Sequence, residues 1–403
     1  MELHMNFIKE NISLLAVSWG HFVNDFLMSV VPVVLFAFAE ELSLSPFQMT
    51  VIAFVITTSG TFFQPLVGML IDRIQKSVLL IYALTLITVG MSLSVFIKNY
   101  YLLVMVLGIA ALGSSVYHPL GSTITIHKTS LSRGKSLSVF MTIGSFAHSA
   151  APIVAIPLVT VYGLKSLSIL MLPGLLSVLF LYLARVQEVT WTKEVTEDED
   201  KRTVKLTFRQ QLLTVVPMSI AVVKGLLFRN AMVFGVIILG MKGIKPVEAA
   251  GMLSVFMIAR SLATLLGGFV NDAIGEKFTM IVFNTAMLIG MVLFVYGTGI
   301  WLMAGLVLLG FSINGTSSAN ITLIHRIMPN NVNYGTGMIM GFAGTLTAVA
   351  MLVNGLVIEK FGHMVSLNIL LGLTGLVLVL SFLLPKEIDV LDYDINKEVD
   401  VEG

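Results

Sequence analysis

Runs of about twenty apolar residues, separated by short polar clusters, recur along the whole chain. They fall near residues 12–39, 47–71, 78–97, 100–127, 136–162 and 165–187. A second set falls near 212–240, 246–271, 278–297, 299–327, 334–359 and 363–384. A run of that length crosses the hydrocarbon core of a bilayer as one helix, with every backbone group bonded inside the segment. A β-barrel strand is about ten residues long and alternates in polarity, which these runs do not. The pattern predicts an all-α membrane protein with twelve transmembrane helices.

Charge sets the orientation. An even number of spans puts both termini on one side, and the cytoplasmic side is the one enriched in Lys and Arg. The connections on the side of the termini carry Arg73, Lys76, Lys128, Arg133, Lys135, Lys277 and Arg326, and the central connection adds Arg185, Lys193, Lys201, Arg202, Lys205 and Arg209. The opposite side holds Lys98, Lys165, Lys242, Lys245 and Lys360. Both termini are therefore expected in the cytoplasm, in a multi-pass protein of the inner (cytoplasmic) membrane. The first apolar run outlasts a signal-peptide core and lacks a small-residue cleavage site, so it is read as a retained helix.

Composition agrees. The 403 residues are 56% hydrophobic and 12% charged, with mean hydropathy +0.94. That is too little charge to cover a soluble surface, for which about 25% is usual. A formal net charge of +1 leaves no basic field for nucleic acid. Without cysteine there are no disulfides, thiolate metal sites or cysteine nucleophiles. No phosphate-binding loop, nucleophile elbow or His-Glu-x-x-His motif is present, so neither an enzyme nor an ATP-driven pump is expected. No cofactor is implied.

The chain repeats itself. Gly68-Met-Leu-Ile-Asp72-Arg73 follows the second run and Gly268-Phe-Val-Asn-Asp272 follows the eighth, both pairs offset by 200 residues; His127 and His325 are offset by 198. The reading is two six-helix bundles, 1–187 and 212–403, joined by a cytoplasmic linker, 188–211, with a short cytoplasmic tail. Parallel repeats of this kind are the plan of major facilitator transporters. Gly-x-x-x-Asp suits a gate, because the glycine lets helices approach and the acid caps a helix or pairs with Arg. Gly68, Asp72, Arg73, Gly268 and Asp272 are the expected gating residues. The run Glu197-Asp198-Glu199-Asp200-Lys201-Arg202 and the acidic tail after Pro385 read as solvated connectors.

Several stretches resemble the fosmidomycin resistance protein family of the major facilitator superfamily. These are Trp19-Gly-His-Phe-Val-Asn-Asp25 with Ser29-Val-Val-Pro32, Gln64-Pro65-Leu-Val-Gly68, Tyr117-His-Pro-Leu-Gly121, Arg133-Gly134 and Pro173-Gly174. The resemblance covers most of the first half and is fainter in the second. It implies a proton-coupled efflux antiporter for a drug or metabolite. One departure stands in Gly144-Ser-Phe-Ala-His148-Ser-Ala-Ala151-Pro152, where the antiporter motif favours Gly at the position of Ala151.

In that architecture helices 1, 4, 7 and 10 line the cavity and 2, 5, 8 and 11 flank it, so charges within them bear on transport. Asp25, Lys224, Arg229 and Arg260 are such charges. One acid against three bases predicts a small anionic substrate bearing phosphonate, phosphate or carboxylate. Arg229 and Arg260 are the fork donors, and Lys224 is a point charge or proton carrier. Asp25 is the candidate proton carrier, or else the structural partner of Arg229 or Lys224. His21 lies one turn earlier on the same face and is a relay candidate, as is His118. With His148 they form a potential histidine cluster, although metal-ligand spacing is absent. Asn24 and Tyr117 are candidate substrate contacts. The expected partners are a small anion, protons and membrane lipid, and the expected state is a monomer. Import of an organic anion by proton symport is the alternative to efflux; a sensor that binds without transporting is the alternative class.

Overall fold

The computed structural model describes residues 2–127, 129, 133–190, 208–328, 335 and 338–384. Lys128, most of the linker with its Glu197-to-Arg202 charge run, the tail after Pro385 and the side chains of Asp72, Arg133, Lys135 and Arg209 lie outside the described residues. Twelve helices among the described residues are long and apolar enough to cross a membrane, and the twelve runs read from the sequence each overlap one. They are α1 Asn11–Val33, α2 Pro46–Gly68, α3 Leu79–Phe96, α4 Tyr100–His127, α5 Val139–Tyr162 and α6 Leu164–Leu183. The second six are α7 Gln211–Met241, α8 Pro246–Thr264, α9 Leu266–Tyr296, α10 Gly299–Ile327, α11 Ala343–Phe361 and α12 His363–Phe382. Their outer faces carry Leu66, Ile153, Leu176, Phe269 and Val353, all exposed, as a lipid-facing surface requires.

Interruptions in these helices have local causes. One helix runs from Pro246 to Tyr296 and is broken at Gly275 (φ 75°, ψ 167°), so Gly267 to Asp272 close α8 in space although the apolar boundary falls earlier. That backbone conformation suits glycine alone. In α2 the helix stops at Thr61 and restarts at Gln64. Pro65 has no N–H to give, and the Gln64 amide instead donates to the Gly60 carbonyl at 2.9 Å. Pro32, Pro119, Pro152, Pro157 and Pro217 are all accommodated inside helices.

The chain packs as two compact units. The first comprises Met1–Glu199, Leu226–Ser261 and Ala348–Leu367; the second comprises Asp200–Gly225, Leu262–Thr347 and Asn368–Gly403. In the first unit, α1 is wrapped by α3, α4, α5 and α6. The later part of α7, the start of α8 and the end of α11 belong to the same unit. They are tied in by polar contacts: Ser254 Oγ donates to the Ser149 carbonyl at 2.9 Å, and Asn354 Nδ2 to Asn230 Oδ1 at 3.0 Å. At the start of α2, Ser45 and Gln48 form a reciprocal capping box, and Glu359 of α11 accepts from the Phe47 amide at 3.2 Å. A carboxylate there also meets the positive end of the helix. In the second unit Asn284 donates to Ser381 at 2.8 Å and Asn320 to the Pro217 carbonyl at 3.2 Å.

The α2–α11 contact depends on Gly355, where a Cβ would fall 2.2 Å from Thr50 Oγ1. Gly355→Val is expected to lower thermal stability by about 1–3 kcal/mol through overpacking. Adding Thr50→Ala is expected to recover most of the loss, measured by thermal unfolding of the purified protein. Equal melting of Gly355→Val and the parent would show that this approach is not tight.

Candidate functional site

Asp25 sits near the middle of α1 and is 8% exposed. Helical spacing puts His21 one turn earlier on the same face, and its Nε2 lies 3.2 Å from Asp25 Oδ2. From α4, His118 brings Nε2 to 3.3 Å from Asp25 Oδ1 and Nδ1 to 3.1 Å from His21 Nε2. From α5, His148 Nε2 stands 4.0 Å from Asp25 Oδ2, and its Nδ1 is 2.7 Å from Ser29 Oγ. Asn24 donates from Nδ2 to Asp25 Oδ1 at 2.8 Å and to Ser114 Oγ at 3.1 Å, so it orients the carboxylate.

Glycines make this convergence possible. A Cβ at Gly144 would meet the His21 ring at 2.3–2.7 Å, one at Gly121 would meet Phe140 at 3.0 Å, and Phe140 stacks on His21 with centroids 4.0 Å apart. At Gly20 a Cβ would fall 2.1 Å from the Tyr117 hydroxyl, which donates to the Val17 carbonyl at 2.9 Å. Tyr117 is therefore a fully buried packing residue that joins α4 to α1. That corrects its expected role as a substrate contact: the space it fills is the one Gly20 leaves.

The hydrogens can be counted. The Phe140 carbonyl only accepts, so His21 Nδ1, 2.8 Å away, carries a hydrogen. If both imidazoles are neutral and Asp25 is ionised, His118 has one hydrogen for two contacts. On Nδ1 it serves His21 and leaves a lone pair against Asp25; on Nε2 it serves Asp25 and leaves two lone pairs facing at 3.1 Å. In either arrangement the His21 Nε2 lone pair also faces Asp25 Oδ2 at 3.2 Å. One added proton on His21 Nε2, shared between Asp25 Oδ2 and His118 Nδ1 while His118 Nε2 donates to Asp25 Oδ1, satisfies every contact. The ligand atoms of His21, Asp25 and His118 also lie within 4.8 Å of one another, a spread open to a small cation that the sequence spacing alone does not reveal.

This cluster opens on a cavity of about 270 Å³ within the first unit. It is lined by Asp25, Ser29, Thr57, Thr61, Ser114, His118, His148 and Arg229 on its polar side, and by Met28, Ile56, Phe228 and Met232 on its apolar side. Arg229 donates to Thr57 Oγ1, and among the described residues no carboxylate pairs with it. Of the expected structural partners of Asp25, Arg229 forms no ion pair with it among the described residues; Asp25 is engaged by histidines. Arg260 lies with its guanidinium 3.9 Å over the Phe228 ring, which forms part of the cavity wall. Lys224 belongs to the second unit and donates to Ser317 Oγ at 3.2 Å. Five residues separate it from Arg229, and at about 100° per residue the two point to different faces of α7.

The expected gating residues have these surroundings within their own units. A Cβ at Gly68 would meet nothing within 4 Å, and at Gly268 only Ser318 Oγ at 4.0 Å. The close approach in the second unit is made one residue earlier, where a Cβ on Gly267 would fall 2.2 Å from the Gly315 carbonyl. Arg73 and Asp272 are exposed. The acid that is paired is Glu276, one turn beyond Asp272 and past the Gly275 break, at 3.1 Å from Arg326.

Comparison with known proteins places these observations in a family. The family model described as Major Facilitator Superfamily matches residues 17–245 and 229–394. The fosmidomycin resistance protein of Escherichia coli (strain K12) is 22% identical over 355 residues, covering 85% of this chain and 86% of that protein. The sialic acid transporter NanX of the same strain is 22% identical over 378 residues, covering 92% and 93%. Among solved structures, the nucleoside transporter NupG superposes with a TM-score of 0.73 at 16% identity, covering 92% of this chain and 97% of that one. The chain is thus a polytopic membrane transporter, not an enzyme, and it belongs to the major facilitator superfamily.

Proposed function

We propose that this protein is a proton-coupled secondary transporter of a small anion, with the proton held by Asp25, His21 and His118 and the anion by Arg229 with Arg260 behind it. The observation that carries the reading is the missing hydrogen: a mid-membrane carboxylate and two imidazoles whose contacts are complete only with one added proton. Arg229 on the same cavity adds a cation that no protein carboxylate neutralises among the described residues. A phosphonate or carboxylate would fill that role bidentately. Fosmidomycin resistance and sialic acid transport in the two relatives suggest where to start a substrate panel.

The sign of the electrostatics bears on coupling. Adding a proton makes the cavity more positive and so favours an anion, and by linkage the anion favours the proton. Binding that is mutually favourable supports co-transport, while antiport needs the two to compete. This is the import reading; efflux by antiport rests on the likeness to the fosmidomycin resistance protein, and the direction of accumulation separates them. Transport would proceed by rocking of two halves, 1–187 and 212–403, about the mid-membrane site, with both termini and the 188–211 linker in the cytoplasm and the protein acting as a monomer.

Two outcomes are expected in proteoliposomes. Asp25→Asn abolishes accumulation driven by a pH gradient but retains exchange of the anion; loss of both, or of neither, removes Asp25 from coupling. Arg229→Ala weakens anion binding by about 30-fold or more, and Arg229→Lys by less, since truncating one side of a buried charged contact costs about 2–5 kcal/mol. Unchanged affinity in Arg229→Ala would contradict the anion site. Gly144→Ala provides a third test, because the added methyl would clash with the His21 ring. It is expected to flatten the pH dependence of uptake while the anion affinity stays within a factor of about two. A wild-type pH profile would separate His21 from proton handling.

A further inference from the structure

Two imidazole nitrogens and a carboxylate oxygen, the atoms that share the added proton, are also metal ligands by type. His21 Nε2 lies 3.1 Å from His118 Nδ1 and 3.2 Å from Asp25 Oδ2. Zinc binds such donors at about 2.0–2.1 Å, and at that range these spacings subtend about 100° at the ion, close to the tetrahedral angle. One donor atom from each of the three residues lies within 4.8 Å of the other two, so the third edge closes with a small side-chain shift. His148 Nε2, 4.0 Å from Asp25 Oδ2, stands beside the fourth position.

What distinguishes a metal site from a chance cluster is how its ligands are held from behind. His21 gives its Nδ1 hydrogen to the Phe140 carbonyl at 2.8 Å, which leaves Nε2 as the lone pair. His118 Nε2 faces Asp25 Oδ1 at 3.3 Å, which leaves Nδ1. Asn24 donates to the same Oδ1 at 2.8 Å, which leaves Oδ2. His148 Nδ1 is 2.7 Å from Ser29 Oγ, which leaves Nε2. Each of these partners orients a ring or a carboxylate so that its remaining donor faces the others. Asp25, His118 and His148 line the cavity, so an ion has a way in, and His21, 2% exposed, closes the cluster on the protein side. Imidazoles with a single carboxylate suit Zn²⁺, Co²⁺, Ni²⁺ or Cu²⁺; Mg²⁺ and Ca²⁺ take oxygen ligands.

We infer that His21 Nε2, Asp25 Oδ2 and His118 Nδ1 form a binding site for a divalent first-row transition ion such as Zn²⁺, with His148 or water as fourth ligand. The ion takes the place of the shared proton among the same three lone pairs. Ligands bind the metal deprotonated, so ion and proton exclude each other. The site itself stands on the geometry of the cluster; its effect on transport rests on the proton reading above. A carrier holding the ion has nowhere to load a proton, and Zn²⁺ is therefore an inhibitor of pH-driven uptake.

The test is titration of the full-length protein, purified through a tag without histidine, with Zn²⁺ in competition with a chromophoric chelator. The proposal expects one Zn²⁺ per chain and no displacement by Mg²⁺. Affinity should fall by about 100-fold or more in His118→Gln and in Asp25→Asn, beyond the loss caused by removing only a ligand's supporting partner. It should survive His127→Gln with His325→Gln, which lie outside the cluster. Zn²⁺ should also raise the melting temperature of the unsubstituted protein where Mg²⁺ does not, a readout independent of whether the variants fold. Affinity unchanged in both cluster variants, binding lost with His127 and His325, or no melting shift with Zn²⁺ overturns the site. If Zn²⁺ binds as expected and saturating Zn²⁺ leaves pH-driven uptake intact, the site stands and the proton reading fails. If Zn²⁺ does not bind while Asp25→Asn abolishes pH-driven accumulation, the site fails and the proton reading stands.

Discussion

A carboxylate in the middle of a membrane span has to be neutralised where it stands, because insertion of such a charge costs about 2.5–3.5 kcal/mol even on the most lenient scales. This chain does so at Asp25 with three imidazoles and an amide, not with a permanent cation. The choice matters. A guanidinium would hold Asp25 ionised at all physiological pH, whereas imidazoles give and take a proton in that range. Because histidines surround Asp25, Arg229 is left to face the cavity, and the proposed proton site and the proposed anion site share one arrangement. Much of the first unit can be understood as the packing needed to hold those rings in register.

Small residues set that register. Gly20, Gly121 and Gly144 have room around them only for hydrogen: Tyr117 fills the first space, Phe140 the second and the His21 ring the third. Phe140 then acts twice, stacking on His21 and supplying the carbonyl that fixes its tautomer. Adjacent residues of the Trp19-Gly-His-Phe-Val-Asn-Asp25 stretch thus have separate physical duties. Gly20 admits Tyr117, His21 meets the carboxylate from one turn away, and Asn24 aims Asp25.

How much of this is legible without coordinates follows from the range of each interaction. Twelve spans come from local hydrophobicity, and the His21–Asp25 contact from helical spacing, so both can be read from the chain alone. The closure by His118, His148 and Phe140 joins residues about a hundred or more positions apart, and no periodicity encodes it. Tyr117 reads as a ligand because it is polar and next to His118; its partner is a backbone carbonyl, which has no sequence signal. Depth alone groups Lys224 with Arg229, although their five-residue separation already turns them apart on α7. The 200-residue repeat points to Asp272 by symmetry with Asp72. Past the break at Gly275, however, Glu276 is the residue that reaches Arg326.

The central claim is that proton and anion bind to one cavity with mutually favourable energies. The most direct measurement is proton exchange on anion binding to the purified protein in weakly buffered solution near neutral pH, followed with a pH-sensitive dye. The account predicts net proton uptake, up to one per site, when a phosphonate or carboxylate binds, and no exchange in His118→Gln. Proton release on binding would contradict it, because release means that anion and proton compete and that the cavity is built for antiport.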